Sequence, residues 1–169
     1  MHSRIFEVRY KNFPVSDWAN GTKISNENYE VEGADYFDEL DDKDERAGDI
    51  EDFFTKYFPF NAFEVVENEP GQTAVVKFTG DIDEIYAQWY EHVKDAFSGL
   101  NKSMWTMDMF RVKMAIDEPF YLDYKFYLCD WLGYTGTASD FMEWLKYLSR
   151  ENEGNPFKLY VGQVFDYHY

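Results

Sequence analysis

One cysteine, Cys129, stands among 169 residues, so no intramolecular disulfide and no thiolate metal cluster can form. No run of about 18 apolar residues occurs. Met1-His2-Ser3-Arg4-Ile5 does not open a charged-then-apolar leader, so the expectation is a soluble, cytoplasmic protein. Bases are scarce: 16 Lys and Arg face 33 Asp and Glu, for a net charge of −17 at pH 7. Lys56, Lys77, Lys94, Lys102, Arg111 and Lys113 stand singly, which disfavours direct binding to nucleic acid, whose phosphates need clustered cations. Anionic membranes are repelled by the same field.

Catalytic signatures are missing too. His2 and His168 lie beside the termini, and His92 sits among Glu91, Lys94 and Asp95, where a solvated helix face is expected. No histidine is thereby fixed as a general base, and Cys129, between Leu128 and Asp130, reads as an apolar filler. The segment Gly133-Tyr134-Thr135-Gly136-Thr137 lacks the lysine of a phosphate loop. Asp42 and Asp44 could start a calcium loop, but Arg46, Ala47 and Phe53 fall where a ligand, the turn glycine and the closing glutamate belong. Neither enzyme activity, nor a cofactor, nor a tight metal site is expected.

What is present is acid and aromatic. Glu30 to Asp52 holds twelve acids against Lys43 and Arg46, a net −10 in one stretch. Aromatic residues make up 21% of the chain and hydrophobic residues 45%, which argues for a packed core rather than disorder. Surplus rings beside acids suit an interface, where Tyr and Trp are enriched.

Periodicity places the elements. Ser3 to Tyr10 reads as a strand, and 12–33 as a loop with a short turn at Val15 to Asn20. Ile50, Phe53, Phe54, Tyr57 and Phe58 form one helical stripe that Pro59 ends. Phe60 to Glu67 and Gln72 to Thr79 make a hairpin. Asp81 and Glu84 open an amphipathic helix through Phe97, and Asp140 with Glu143 opens another. Met104 to Ile116, Phe120 to Cys129 and Phe157 to Tyr167 read as strands. The expected fold is a single α+β domain, 1–169, with an antiparallel or mixed sheet of about five to six strands and three helices mainly on one face. Its expected core is Ile50, Phe53, Phe54, Tyr57, Val65, Val75, Ile82, Ile85, Trp89, Val93, Phe141, Trp144, Leu145, Val161 and Val164.

Ser3-Arg4-Ile5-Phe6-Glu7-Val8, Ala34-Asp35-Tyr36 and Asp49-Ile50-Glu51 resemble the N-terminal half of uncharacterised acidic bacterial proteins associated with mobile elements. In size, charge and aromatic content the chain is also similar to antirestriction proteins of the ArdA kind, which mimic DNA; that likeness is compositional. Duplex DNA carries about one charge per 1.7 Å of axis, so −17 matches roughly 29 Å of duplex. The expected function is protein binding to a basic surface, in its sharper form the DNA-binding cleft of a DNA-handling enzyme. The expected site is Asp35, Asp38, Glu39, Asp41, Asp42, Asp44 and Glu45, with Tyr36 and Phe37 as apolar anchors. Three alternatives stand beside it: an acidic interaction or immunity protein without DNA mimicry, a solvated acidic loop over Asp35 to Glu45, and an enzyme with an unrecognised carboxylate site. The sequence leaves oligomeric state open.

Overall fold

A computed structural model describes residues 2–21, 36–100, 104–133 and 135–168. Its centre is the last strand, β7 (Phe157–His168), in which Phe157, Leu159 and Val161 alternate inward before the pattern shifts to Val164, Phe165 and Tyr167. β1 (His2–Arg9) lies antiparallel along one edge of β7. The other edge is shared: β4 (Ala74–Phe78) pairs with its first half and β2 (Tyr36–Glu39) with its end. β3 (Phe63–Glu67) forms a hairpin with β4. β5 (Lys125–Tyr127) runs parallel to β1, and β6 (Thr135–Gly136) closes that side. The sheet is seven-stranded and mixed, in the order β3-β4-β7-β1-β5-β6 with β2 beside β7.

The α+β class holds, and the described residues form one strand more than the upper expectation and a fourth helix. Among the described residues the long helices are α1 (Lys43–Asp52), α2 (Ile82–Ser98), α3 (Trp105–Asp117) and α4 (Ala138–Glu151). Buried residues of α1, α2 and α4 join Phe6, Phe126 and Val164 in one core cluster, whereas Ile5, Tyr127, Phe165 and Tyr167 form a second. Asp81 caps α2 as expected, accepting from the amides of Asp83 and Glu84 at 2.9 and 3.2 Å. For α4 the cap lies three residues earlier than the Asp140–Glu143 spacing suggests. Thr137 is the N-cap and Asp140 answers it, so the Asp140 carboxylate accepts from the Thr137 amide at 2.8 Å.

Met104 to Ile116 is the largest correction: it is helix, not strand. Met, Ala, Arg and Lys are strong helix formers, and Asp108, Val112 and Ala115 recur at helical spacing on its buried side. Exposed Met107, Met109 and Phe110, set among Arg111 and Lys113, hid that period. Phe120 to Cys129 contains only the three-residue β5, after a 3₁₀ turn at Pro119–Tyr121. Acidic Tyr36–Glu39, which lies beyond the 12–33 loop and was assigned no element, is a strand on the edge of β7 that β4 leaves open.

A register shift between β1 and β7 fixes the surroundings of Glu7 and Arg46. Phe6 pairs with Val164 and Val8 with Val161, so Glu7 faces an extra residue of β7. Glu7 is fully buried, and its Oε2 accepts from the amides of Gln163 and Ala19 at 3.0 and 2.9 Å. Gly162 is required there, since a Cβ would stand 2.3 Å from Glu7 Oε2 and 2.7 Å from the Phe13 ring. On the far edge of β7, between the reach of β4 and β2, the Arg46 guanidinium donates to the carbonyls of Gly162 and Val161 at 2.5–3.0 Å. Its carbon sits 4.3 Å from the Trp18 ring centroid. Arg46 thus closes a gap in the sheet.

Candidate functional site

Asp42 opens α1 by accepting from the amides of Asp44 and Glu45, so one acid of the stretch is consumed in starting the helix. Glu45 and Asp49 then lie one turn apart on the same face. Both meet Arg4 of β1, Glu45 at 2.9 Å and Asp49 at 2.5 Å, and Asp166 of β7 closes the third side at 2.5 Å. Arg4 keeps only 19% of its side chain exposed. Burial works against its charge, and Asp49 foremost, then Asp166 and Glu45, more than offset that, so its pKa stands above the usual value.

Beside this cluster lies a cavity of about 370 Å³ lined by Arg4, Asp49, Asp52, Asp123, Tyr57 and Tyr124 among others. Asp52 pairs with Lys56. The Tyr57 and Tyr124 rings are stacked, with centroids 6.1 Å apart. Burial raises the Tyr124 phenol, helped by Tyr57 and Asp49. One partly buried guanidinium therefore stands among five carboxylates, with two phenols at the mouth. The arrangement attracts a cation and offers it ring faces. Arg4 already occupies the point where three carboxylates converge, and among the described residues no three His, Cys, Asp or Glu side chains are grouped to hold a metal ion.

The expected site residues are only partly gathered here. Asp35 lies outside the described residues. Tyr36 and Phe37 enter β2 opposite His168 and Tyr167, and their side chains are likewise outside them. Asp38 is exposed, and Glu39 accepts from the Gly21 amide at 2.7 Å. Asp41 and Asp44 are exposed, Asp42 caps, and Glu45 faces Arg4. Asp49 and Asp52 were read only as acids of the helix start, and Arg4, Tyr57, Asp123, Tyr124 and Asp166 were missed altogether. Four of the five come from distant segments with no local signal; Tyr57 was assigned to the core and is 52% exposed.

No protein-family model, curated protein or solved structure matches this chain. Its chemistry is therefore read from the residues alone. His2 and His168 pair in register across β1 and β7, and His92 belongs to α2.

Glu118, in the connection after α3, has its carboxyl raised by burial and then by Asp123 and Asp117. A raised folded-state value means the charged form is disfavoured at neutral pH, and the penalty disappears as pH falls through it. Glu118→Gln is expected to stabilise slightly at pH 7 and to lose that advantage near pH 4.5, as read by urea midpoints at both pH values.

Proposed function

We propose that this chain is a protein-binding domain that presents its β2–α1 face and the adjoining cleft to a basic partner surface. The observation that carries this reading is the convergence of Glu45, Asp49, Asp52, Asp123 and Asp166, from three regions of the chain, around Arg4 and a tyrosine-lined opening. A solvated loop that served solubility alone would have no reason to join acids from the sheet end to those of the helix. Charge speeds encounter, and exposed rings supply the desolvated contact that holds a complex. The sharper form of the partner is a DNA-handling enzyme, whose cleft is basic for phosphate, with the domain occupying it in place of DNA. An immunity-type contact with a cationic protein uses the same surface and differs in that DNA does not compete.

The test compares wild type with a variant carrying Asn or Gln at Asp35, Asp38, Glu39, Asp41, Asp42, Asp44 and Glu45. Asn at position 42 still caps α1, so the fold is retained. Wild type is expected to retain a basic protein at low salt and to lose affinity for it as salt rises. The variant should bind it about tenfold or more weakly. Displacement by duplex DNA selects mimicry. Equal retention of the same partners by both proteins rejects the β2–α1 face, and equal retention by a further variant carrying Asn at Asp52 and Asp123 rejects the cleft.

A further inference from the structure

A second pocket lies at the opposite end of β1 from Arg4, where the strand runs out into Tyr10 and Lys11. Its volume is about 570 Å³, the size of a small-ligand site. One side comes from α4, whose Trp144, Tyr147, Leu148 and Glu151 are spaced i, i+3, i+4 and i+7 on a single stripe. Trp144 and Leu148 are buried and form the floor, whereas Tyr147 and Glu151 stand at the rim. The turn after β5 supplies the other side. Its Leu128 carbonyl accepts from the amides of Trp131, Leu132 and Gly133 at 2.8–3.1 Å. The Asp130 carboxylate accepts from the Tyr10 amide at 3.0 Å, which ties the turn to β1. Trp131 is thereby held against Tyr147, with ring centroids 4.8 Å apart and planes at 34°.

The polar groups of this pocket are unspent. Trp144 is 1% exposed, yet its indole N–H has no acceptor among the described residues. A buried indole N–H ordinarily finds one. The nitrogen is not sealed from solvent, so it opens onto the pocket that the ring lines. The Trp131 indole N–H, the Tyr147 hydroxyl, the Lys11 ammonium and the Glu151 carboxylate are also without a hydrogen-bond or ion partner among the described residues.

We propose that this pocket binds a neutral saccharide. The unspent groups select that class by elimination. A purely apolar ligand would bury the Trp144 and Trp131 donors unpaired. A cation offers them no acceptor. An anion offers one but meets Asp130 and Glu151 against the single Lys11, in a chain of net −17. A pyranose is uncharged and has both an apolar face and a ring of hydroxyls. Its C–H face lies on the Trp131–Tyr147 pair, whose ring faces carry the negative side of the aromatic quadrupole. Its hydroxyls accept from the two indole N–H groups and from Lys11, and donate to Glu151. The pocket shares no lining residue with the acidic cleft around Arg4, so saccharide binding and capture of a basic partner are separate properties.

The measurement is a proton–nitrogen correlation spectrum of the isotope-labelled chain, titrated with glucose, galactose, mannose, N-acetylglucosamine and their common disaccharides. Titration runs to about 50 mM, because a ligand the size of a monosaccharide should bind with a Kd of about 1 mM. The indole signals of Trp131 and Trp144, assigned from Trp131→Phe and Trp144→Phe, are expected to move and saturate with at least one of these sugars. Those of Trp18 and Trp89 should stay in place, since their N–H groups already donate to Thr73 and Ala115 at 2.9 and 2.8 Å. Trp131→Ala and, separately, Tyr147→Ala should unfold thermally like wild type, because both positions are exposed, and should bind the sugar about tenfold more weakly. Affinity should be unchanged by NaCl and in the seven-acid variant, because the ligand carries no charge. Absence of a saturating shift with every sugar, shifts spread evenly over all five tryptophans, or undiminished affinity in both alanine variants would overturn the proposal. Shifts produced by adenosine or by tetramethylammonium and by none of the sugars would overturn it as well, assigning the pocket to a heterocycle or a cation.

Discussion

Arg46→Ala is expected to destabilise the fold by about 3–5 kcal/mol, the range seen when one member of a buried charged network is removed. Arg46 is 1% exposed, and burial lowers its guanidinium to about 10, so it remains charged at neutral pH. That charge is held by two β7 carbonyls, the Trp18 face and the field of buried Glu7. Alanine would leave the carbonyls of Val161 and Gly162 without these donors where β4 ends, with Ala74 opposite Val161, and before β2 begins opposite Phe165. It would also remove a cation that offsets Glu7, leaving Arg9 at 2.6 Å as its ion-pair partner. Arg46→Lys should recover only part of the loss, because a single ammonium cannot reproduce the guanidinium fork. Urea denaturation monitored by far-UV circular dichroism supplies the values. A loss below about 1 kcal/mol for the alanine variant would mean that the gap in the sheet is closed by other groups.

The same arginine shows where sequence reading stops. In the sequence Arg46 is one of two bases in an acidic stretch, and charge counting makes it surface. Nothing local indicates that β7 will bulge at Gly162 and need a donor from a residue 116 positions away. Local signals served well where one face is apolar and the other polar, as in α2, the β3–β4 hairpin, β7 and the buried ring positions Phe53, Phe54, Phe141 and Trp144. They failed for α3, where exposed Met107, Met109 and Phe110 stand among Arg111 and Lys113 and blur the helical period. Trp89, placed in the core by its stripe, is half-buried and spends its indole N–H on the Ala115 carbonyl at 2.8 Å, which ties α2 to α3. Val65 and Val93 are half-buried as well. For the acidic site, sequence showed the sign and concentration of charge. The convergence on Arg4 depended on sheet order, because Arg4, Asp49 and Asp166 come from β1, α1 and β7.

Phe53→Ala and Tyr57→Ala, four residues apart, are expected to differ sharply. A straight α-helix would place both on one buried stripe. Instead α1 continues into a π-turn over Phe53–Tyr57, with the Phe58 amide donating to the Phe53 carbonyl at 2.8 Å across five residues. The wider turn displaces the stripe by one position. Phe58 takes the inner place at 2% exposure, and Tyr57 turns out to the acidic cleft. Phe58 is extended ahead of Pro59, which ends the helix there. Phe53 is fully buried, with ring centroids of Phe6, Phe54 and Tyr124 at 4.8–4.9 Å and Phe126 at 5.5 Å. Its truncation should cost about 3–5 kcal/mol, from lost transfer energy and the cavity left behind. Tyr57→Ala should cost about 1 kcal/mol or less, mainly through lost contact with Tyr124, while weakening capture of a basic partner at the cleft. Urea midpoints for both variants, paired with the binding measurement, separate the roles. Similar large losses at both positions would restore the straight-helix stripe and return Tyr57 to the core. A small loss at Phe53 would contradict its place at the centre of the ring cluster.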